Sequence, residues 1–445
     1  MGDDLFFIGA AINLAKTGEL NNPWLSMWSE QTIDRFFVQP PFHSYTLAGW
    51  IVLFGNNTNS ILFFQCICYC LFSIFAALIL RKYKFSGLSI FCVPVVYTTW
   101  MAIAGLRQDA LGMAYLAIGL WGLIRDSSLR YFWGCLFLGL AICTSPVLIS
   151  YAIPFSLGIA IANLTQKSKL NGYYFLKRIL ALISAVFVVL FLLLWAIDFE
   201  LFHFLADLSW HASFRVVPIA RVIPEVTFII TNGYGEIIYG SLYTIYLILL
   251  FFLIKNRKRS QNCVVYFAFI LNLSLAINIL LYASTLYYNF NFFCWLGVVI
   301  FLFNINTSRI SRTLLVFLCI VAFLIYQSQL IVGVIGQNSP AIDKYKSILE
   351  WVKKNPDRNY AIDDVAARFV FDYNLPEHSI AWNFSNNPAI FWPTSVSQKN
   401  SNTIWIISPA KAALTPDLPD YQRVELFNHR FNSIPRSPYD IVIIE

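Results

Sequence analysis

The chain has 445 residues, of which 58% are hydrophobic and only 12% are charged. Soluble domains carry about 25% charged residues, and the apolar run 179–197 is long enough to cross a bilayer. The composition therefore predicts an all-α polytopic membrane protein, and the net charge of +7 bears on its orientation in the membrane rather than on nucleic acid binding.

The first segment, residues 1–58, is predicted to lie outside the bilayer with helices at its surface. It opens on the acidic pair Asp3-Asp4, continues as a helical stretch over 5–16, and later contains Gln-Pro-Pro-Phe-His-Ser-Tyr at 39–45. The apolar stretch 40–54 is short for a span and begins with two prolines, so it predicts an interfacial helix.

Ten membrane helices are predicted within a transmembrane domain over 59–336. The connections on one side hold fifteen Lys and Arg residues, whereas those on the other side hold only Arg107, Arg215 and Arg221. Because basic loops stay in the cytoplasm, this asymmetry predicts a multi-pass plasma-membrane protein whose first segment faces outward. The predicted helices are 59–80, 86–103, 107–124, 129–144, 146–164, 177–197, 236–254, 262–281, 287–303 and 313–335.

Two further regions are expected on the outer face. Residues 198–235 form a long loop, and loops of this length are usually functional or lid-like. Residues 337–445 have an ordinary composition and predict a small α/β domain. Its expected helices are 342–354 and 363–373, and its expected strands are 360–362, 379–382, 403–407 and 440–444.

The nine cysteines all lie within apolar runs. This placement predicts free thiols in membrane helices and argues against a disulfide framework or a zinc site.

The acidic pair is the best candidate for catalysis. A carboxylate on an outer segment can deprotonate an acceptor or hold a divalent metal. The alternative is that Asp3 and Asp4 cap a helix and answer its dipole.

Arg107 and Asp109 mark the outer end of a predicted helix. Arginine suits an anionic phosphate group, and the scarcity of outer arginines makes Arg107, Arg215 and Arg221 phosphate candidates together. The alternative for Arg107 is a snorkelling side chain at the interface, with Asp109 in the first helical turn.

The order and spacing of several motifs resemble the GT-C glycosyltransferases, in the branch of protein O-mannosyltransferases and aminoarabinose (lipid A) transferases. Asp3-Asp4, the stretch 39–45 and the stretch 53–55 match the first outer segment of that branch. The stretch 105–109 resembles its second outer-loop motif, and 139–146 resembles its Gly-Leu-Ala…Thr-Lys-Pro stretch. Together the motifs cover about the first 160 residues.

The resemblance implies an inverting enzyme that moves a sugar from a polyprenyl-phosphate donor to an acceptor glycan, lipid or protein on the outer face. It implies that Asp3 is the general base with Asp4 in support, and that Arg107 with Asp109 binds the lipid phosphate. His43, Tyr45 and His211 are then candidates for the acceptor or donor pocket. The resemblance identifies no definite cofactor, and a divalent metal is an option. The partners implied are the donor and membrane lipids, with no nucleic acid.

Three features depart from the family pattern. Gln39 stands where relatives often have a basic residue, and Ser145 stands where many have lysine. The family also has a membrane helix before the acidic pair, whereas this sequence starts at Met1, so a misplaced start or a fragment is expected.

Other classes remain open from the residues alone. An O-antigen polymerase or ligase would use Arg215, Arg221 and His211. A lipid or polysaccharide transporter would carry broken helices and midplane charges, few of which are visible. An inactive scaffold is the fourth reading.

Overall fold

The computed structural model is mostly helical. Labels below number the helices and strands in chain order. The structure describes residues 4–25, 31–103, 106–125, 127–166, 172–213, 236–255, 262–282, 288–304, 313, 342–381, 403–407, 423–424 and 442–444.

The first segment contains three helices and a single 3₁₀ turn in its described part. α1 is Asp4–Thr17, the 3₁₀ turn is Pro23–Leu25, α2 is Gln31–Asp34 and α3 is Phe42–Phe54. α1 packs along α3. With 13 residues, α3 is roughly 20 Å long at 1.5 Å per residue, which is too short to cross a hydrocarbon core about 30 Å thick.

α1 is buried on nearly every side because the chain folds back over it. Gly9 makes this possible: a Cβ there would lie 2.6 Å from the Asn22 amide nitrogen. Asn22 donates to the Leu5 carbonyl at 3.1 Å, and its own backbone N–H donates to Thr32 at 2.7 Å. The start of α1 is therefore held rigidly in the protein interior.

Helices are present in each of the first nine ranges predicted to cross the membrane, and the tenth, 313–335, lies almost wholly outside the described residues. Three helices in the described part are long and apolar enough to cross a bilayer: Thr58–Lys82, Phe175–Ala196 and Cys263–Leu281. The number of crossings stays a prediction. The helices are α4 Thr58–Lys82, α5 Gly87–Ile103, α6 Asp109–Leu123, α7 Ser128–Ile142, α8 Ile149–Gln166, α9 Gly172–Ala196, α11 Glu236–Lys255, α12 Asn262–Tyr282 and α13 Tyr288–Asn304.

α6 and α7 approach each other through glycines. A Cβ on Gly122 would lie 2.6 Å from the Cα of Gly134, and a Cβ on Gly134 would lie 2.8 Å from the Leu123 nitrogen. Small residues allow backbones of membrane helices to come this close and gain dispersion contact. This packing matters for the site because α6 and the chain after α7 both contribute to it.

The predicted loop 198–235 is not entirely a loop. Its first part forms helix α10, Leu201–Ser213, and residues 214–235 lie outside the described residues. Phe204, Asp207 and His211 are buried on one face of α10, whereas Phe202 is 87% exposed. The spacing of three and four residues places these buried side chains on one side of the helix. The prediction of a loop was therefore wrong for residues 201–213.

The described part of the C-terminal region contains two helices and five strands. They are α14 Ile342–Lys354, β1 Asn359–Ile362, α15 Asp364–Phe369, β2 Ser379–Ala381, β3 Thr403–Ile407, β4 Arg423–Val424 and β5 Val442–Ile444. The strands form one sheet in the order β2-β1-β3-β5-β4. β1 pairs in parallel with β2 and β3, while β5 pairs antiparallel with β3 and β4.

Two further points concern the chain as a whole. A 3₁₀ turn, Pro146–Leu148, precedes α8. The predicted division into domains at 58 and 336 stays a prediction.

α15 is shorter than the predicted helix 363–373. Asp363 caps its start by accepting from the Ala366 N–H at 2.8 Å. The chain then turns through Asp372 and Tyr373, both with positive φ, a conformation that ends a helix.

That turn docks on the connection between α3 and α4. Asp372 accepts from the Thr58 backbone N–H at 2.6 Å. Asn374 accepts from the Asn56 amide at 3.2 Å, and Asn56 also donates to the Tyr373 carbonyl at 3.4 Å. The C-terminal region and the first segment therefore lie on the same side of the helical bundle.

Candidate functional site

The turn before α6 carries a buried ion pair. The Arg107 Nε–H donates to Asp109 Oδ2 at 3.0 Å. Arg107 is 8% exposed and Asp109 is 3% exposed. Asp109 lies in the first turn of α6, as expected, and the Arg107 side chain is buried in protein rather than exposed. The opposite charges of Arg107 and Asp109, and the hydrogen bond between them, offset the free-energy cost of burying both side chains away from water.

Ser145 completes the surroundings of this carboxylate. Its hydroxyl donates to Asp109 Oδ1 at 2.7 Å, so both carboxylate oxygens of Asp109 accept a hydrogen bond. Gly112, one turn further along α6, makes room for this contact: a Cβ there would lie 3.2 Å from the Ser145 Cβ and 2.7 Å from Leu148. The close approach brings the end of α7 onto the start of α6.

His43 lies in the first turn of α3 and is 3% exposed. Burial lowers the pKa of its imidazole to about 4, although the Asp109 charge and a hydrogen bond with the Phe7 backbone both act to raise it. Desolvation disfavours the charged form of histidine. His43 is therefore neutral at physiological pH. Its imidazole starts from the uncharged form, which has one nitrogen that can accept a proton and one that can donate a proton.

The first turns of α1 close over the same place. The Arg107 guanidinium carbon lies 4.5 Å from the centre of the Phe7 ring, within the range of a cation–π contact. α1 begins at Asp4, so the backbone of Asp4 lies about one helical turn before Phe7.

A chain of amides connects this cluster to α10. Gln108 donates from its amide to Gln39 Oε1 at 2.7 Å, and Gln39 Nε2 lies 3.2 Å from His211 Nδ1. An amide nitrogen only donates, so His211 Nδ1 accepts, and a neutral ring carries its proton on Nε2. The His211 ring also lies 5.5 Å from the ring of Phe6.

α10 is tied to the first segment a second time. Arg35 donates through Nε to Asp207 at 3.0 Å, with side chains 27% and 5% exposed. Phe37 and Phe204 form an edge contact at 6.1 Å beside them. Together these contacts fix α10 over the segment that holds Gln39 and His43.

Three helix N-termini meet at this cluster, since Phe7, His43 and Asp109 lie in the first turns of α1, α3 and α6. Each helix N-terminus carries partial positive charge and unpaired N–H groups. The cluster combines these dipoles with one guanidinium, one carboxylate and a neutral imidazole. Such an arrangement can hold an anionic group and move a proton close to it.

The predicted site residues fall into three groups. The structure brings Arg107, Asp109, His43 and His211 together. It places Tyr45 elsewhere, with its hydroxyl donating to the Ala196 carbonyl of α9 at 3.2 Å. Of the rest, Asp4 is described only in its backbone, and Asp3, Arg215 and Arg221 lie outside the described residues.

Several members of the cluster were not among the predicted site residues, namely Phe7, Gln39, Gln108 and Ser145. Gln39 and Ser145 had a signal, since they replace basic residues of the family pattern. In this chain they are hydrogen-bond partners of the cluster. Phe7 and Gln108 had no comparable signal in the sequence.

Metal binding has no ready set of ligands here. Among the described residues, no three His, Cys, Asp or Glu side chains are grouped closely enough to hold an ion. The eight cysteines in the described part are all free thiols.

The fold and the cluster define a helical membrane protein with a buried polar site at one end of its bundle. No family model matches the sequence, and no curated protein matches it. Among solved structures, the crystal structure of ArnT from Cupriavidus metallidurans bound to undecaprenyl phosphate is similar to this chain. The similarity covers 99% of this chain and 94% of that chain, at 12% sequence identity and a TM-score of 0.49.

Proposed function

We propose that this protein is a GT-C type glycosyltransferase that moves a sugar from a polyprenyl-phosphate donor to an acceptor. One observation carries the proposal. Motif residues that are far apart in the sequence, namely Gln39, His43, residues 107–109 and Ser145, meet in one buried polar cluster beside the start of α1. Motifs that served only separate helices would have no reason to meet.

Phosphate binding is assigned to Arg107. Asp109 holds the guanidinium through Nε, and Phe7 supports one face of it, so the side chain is oriented before the donor arrives. Preorganised donors stabilise charge that develops on a leaving phosphate at little cost in reorganisation. Asp109 is therefore a positioning residue, and Arg215 and Arg221 are proposed as further contacts to the lipid phosphate.

Proton removal from the acceptor is assigned to the acidic pair. The acceptor loses a proton as it attacks the anomeric carbon with inversion, and a carboxylate can take that proton. Asp3 is proposed as the base with Asp4 in support, because α1 starts within a turn of the cluster. His43, His211 and Tyr45 are proposed to line the sugar or acceptor pocket.

The test compares Asp3→Asn and Asp4→Asn with Asp34→Asn in the full-length protein. Asp34 is an exposed aspartate of the same segment and serves as the matched control. The assay measures release of polyprenyl phosphate from a panel of polyprenyl-phosphate sugars. Loss of a general base lowers the rate by about 10²–10⁴-fold, whereas loss of a helix cap costs only about 1 kcal/mol of stability and leaves turnover nearly intact. Turnover equal to the parent in both site variants would remove the acidic pair from the mechanism.

The site is proposed to face the outside of the plasma membrane. The fifteen-to-three distribution of basic residues supports this orientation. Arg257→Cys and Tyr345→Cys, in a background without other cysteines, report it through an impermeant thiol reagent. We expect labelling at 345 and protection at 257 in intact cells, and the opposite pattern would invert the topology.

A further inference from the structure

A cavity lies within the helical bundle, apart from the polar cluster. It has a volume of about 660 Å³ and is lined by residues of α4, α5, α6, α8, α12 and α13. Pockets that bind small molecules span about 300–1,000 Å³. Its lining is almost wholly apolar and includes the small side chains of Ala76, Ala117 and Ala162.

The cavity lies at the opposite end of the bundle from the proposed donor site. α6 begins at Asp109, and its residues in the cavity wall are Leu116, Ala117 and Leu120. Leu120 is eleven residues beyond Asp109, which is roughly 16 Å along the helix. The cavity is therefore distinct from the site proposed for sugar transfer.

We call the turn that ends α4 the rim, because it contributes two residues to the cavity wall. The Phe85 N–H donates to the Leu80 carbonyl at 3.1 Å, and the Lys84 N–H donates to Arg81 at 3.1 Å. These two bonds make a Schellman turn, in which Lys84 adopts a φ of 58°. The turn places Tyr83 and Phe85 in the cavity wall, while Arg81, Lys82 and Lys84 remain exposed beside it.

The rim also holds a polar group suited to an anion. The Tyr83 hydroxyl is buried and has no hydrogen-bond partner among the described residues. A buried hydroxyl without a partner is costly, and a hydroxyl can donate to a phosphate oxygen. By contrast, Tyr266 in the same wall already donates to the Gly158 carbonyl at 3.0 Å.

We propose that this cavity binds one acyl chain of an anionic glycerophospholipid, whose phosphodiester lies on Arg81, Lys82 and Lys84 and accepts from the Tyr83 hydroxyl. Three exposed cations lie in the turn that contributes Tyr83 and Phe85 to an otherwise apolar wall, so the complementary ligand has one negative head and an apolar tail. Basic pockets between membrane helices bind anionic lipid head groups in this way. An apolar cavity gives a hydrocarbon chain contacts that water cannot supply.

The experiment is native mass spectrometry of the full-length protein in detergent, titrated with phosphatidylglycerol or with phosphatidylcholine of the same acyl chains. We expect one phosphatidylglycerol to be retained more strongly than phosphatidylcholine. The triple variant Arg81→Gln, Lys82→Gln, Lys84→Gln should lower that affinity roughly 100-fold, because it removes the attraction of three cations for the lipid phosphate. The changed residues are exposed, so the fold is not at risk.

Two further variants separate the cavity from general surface charge. Ala76→Phe with Ala162→Phe fills the cavity and should abolish retention while the rim keeps its charge. Arg130→Gln removes an exposed cation of the predicted basic side that belongs to a different connection and adjoins no residue of the cavity wall, and it should retain the lipid as the parent does. Equal retention of the two lipids, full retention by the triple variant or by the filled variant, or an equal loss in Arg130→Gln would overturn the proposal.

Discussion

A double-mutant cycle on Arg107 and Asp109 tests whether the centre of the site is a coupled buried pair. Arg107→Gln leaves the Asp109 carboxylate, 3% exposed, with Ser145 as the remaining partner among the contacts described above. Asp109→Asn removes the Asp109 charge from a guanidinium that stays buried above Phe7. Breaking a buried pair by removing one partner costs about 3–5 kcal/mol, so each single variant should lose that much stability.

The double variant removes both charges, and with them the cost of leaving either one unpaired. We therefore expect it to be no less stable than either single variant, which corresponds to a coupling of at least about 3 kcal/mol. Reversible unfolding of the protein in mixed micelles with increasing dodecyl sulfate measures these differences. Donor affinity measured on the folded fraction should fall in every variant that lacks Arg107.

The Arg35–Asp207 pair provides a matched control. Its N–O distance is also 3.0 Å, but Arg35 is 27% exposed, so water screens it and the coupling should be smaller. The same cycle on this pair should give a coupling of no more than about 1 kcal/mol. If the losses at Arg107 and Asp109 instead add to within about 0.5 kcal/mol, the two residues do not act as a pair and the proposed positioning role is wrong.

Two further predictions follow from packing and from proton binding. Gly134→Ala should destabilise the bundle by about 1–3 kcal/mol, because its Cβ would lie 2.8 Å from the backbone nitrogen of Leu123. The control Gly49→Ala has open space around the new Cβ and should stabilise α3 by up to about 1 kcal/mol. Equal changes in the free energy of unfolding for the two variants would refute the close approach of α6 and α7. The pKa of His43 is about 4 in the folded protein, below the value of 6.5 for a free imidazole. As the pH falls, the unfolded state therefore binds a proton before the folded state does. The free energy of unfolding should fall by about 3 kcal/mol between pH 6.5 and pH 4. His43→Gln should flatten this slope in pH-dependent unfolding, whereas the exposed His203→Gln should keep it.

The helices were predictable because their signal is local. An apolar run long enough to cross a bilayer identifies itself without reference to the rest of the chain, and α4, α9 and α12 were expected for this reason. α10 was missed because its length is modest and its polar residues resemble a loop. The spacing of Phe204, Asp207 and His211 was a helical signal within it.

The site was predictable only in part because its contacts are between distant residues. Arg107 and Asp109 are neighbours in sequence, and their joint role was expected. Gln39 and Ser145 depart from the pattern that the sequence otherwise resembles, and in the structure their amide and hydroxyl form hydrogen bonds with His211 and Asp109. No local pattern reveals a hydrogen bond between residues 36 or 172 positions apart; only the packed helices bring them together.

The tie between the first segment and α10 has a consequence for biosynthesis. Gln39 and His211, like Arg35 and Asp207, are separated by 172 residues. At roughly 5–20 residues per second, the ribosome needs on the order of 10–30 s to produce the second partner after the first. During that interval Arg35 and Gln39 lack these two partners. The contacts that hold the first segment against α10 therefore form only after residue 211 has been synthesised, close to the midpoint of the 445-residue chain.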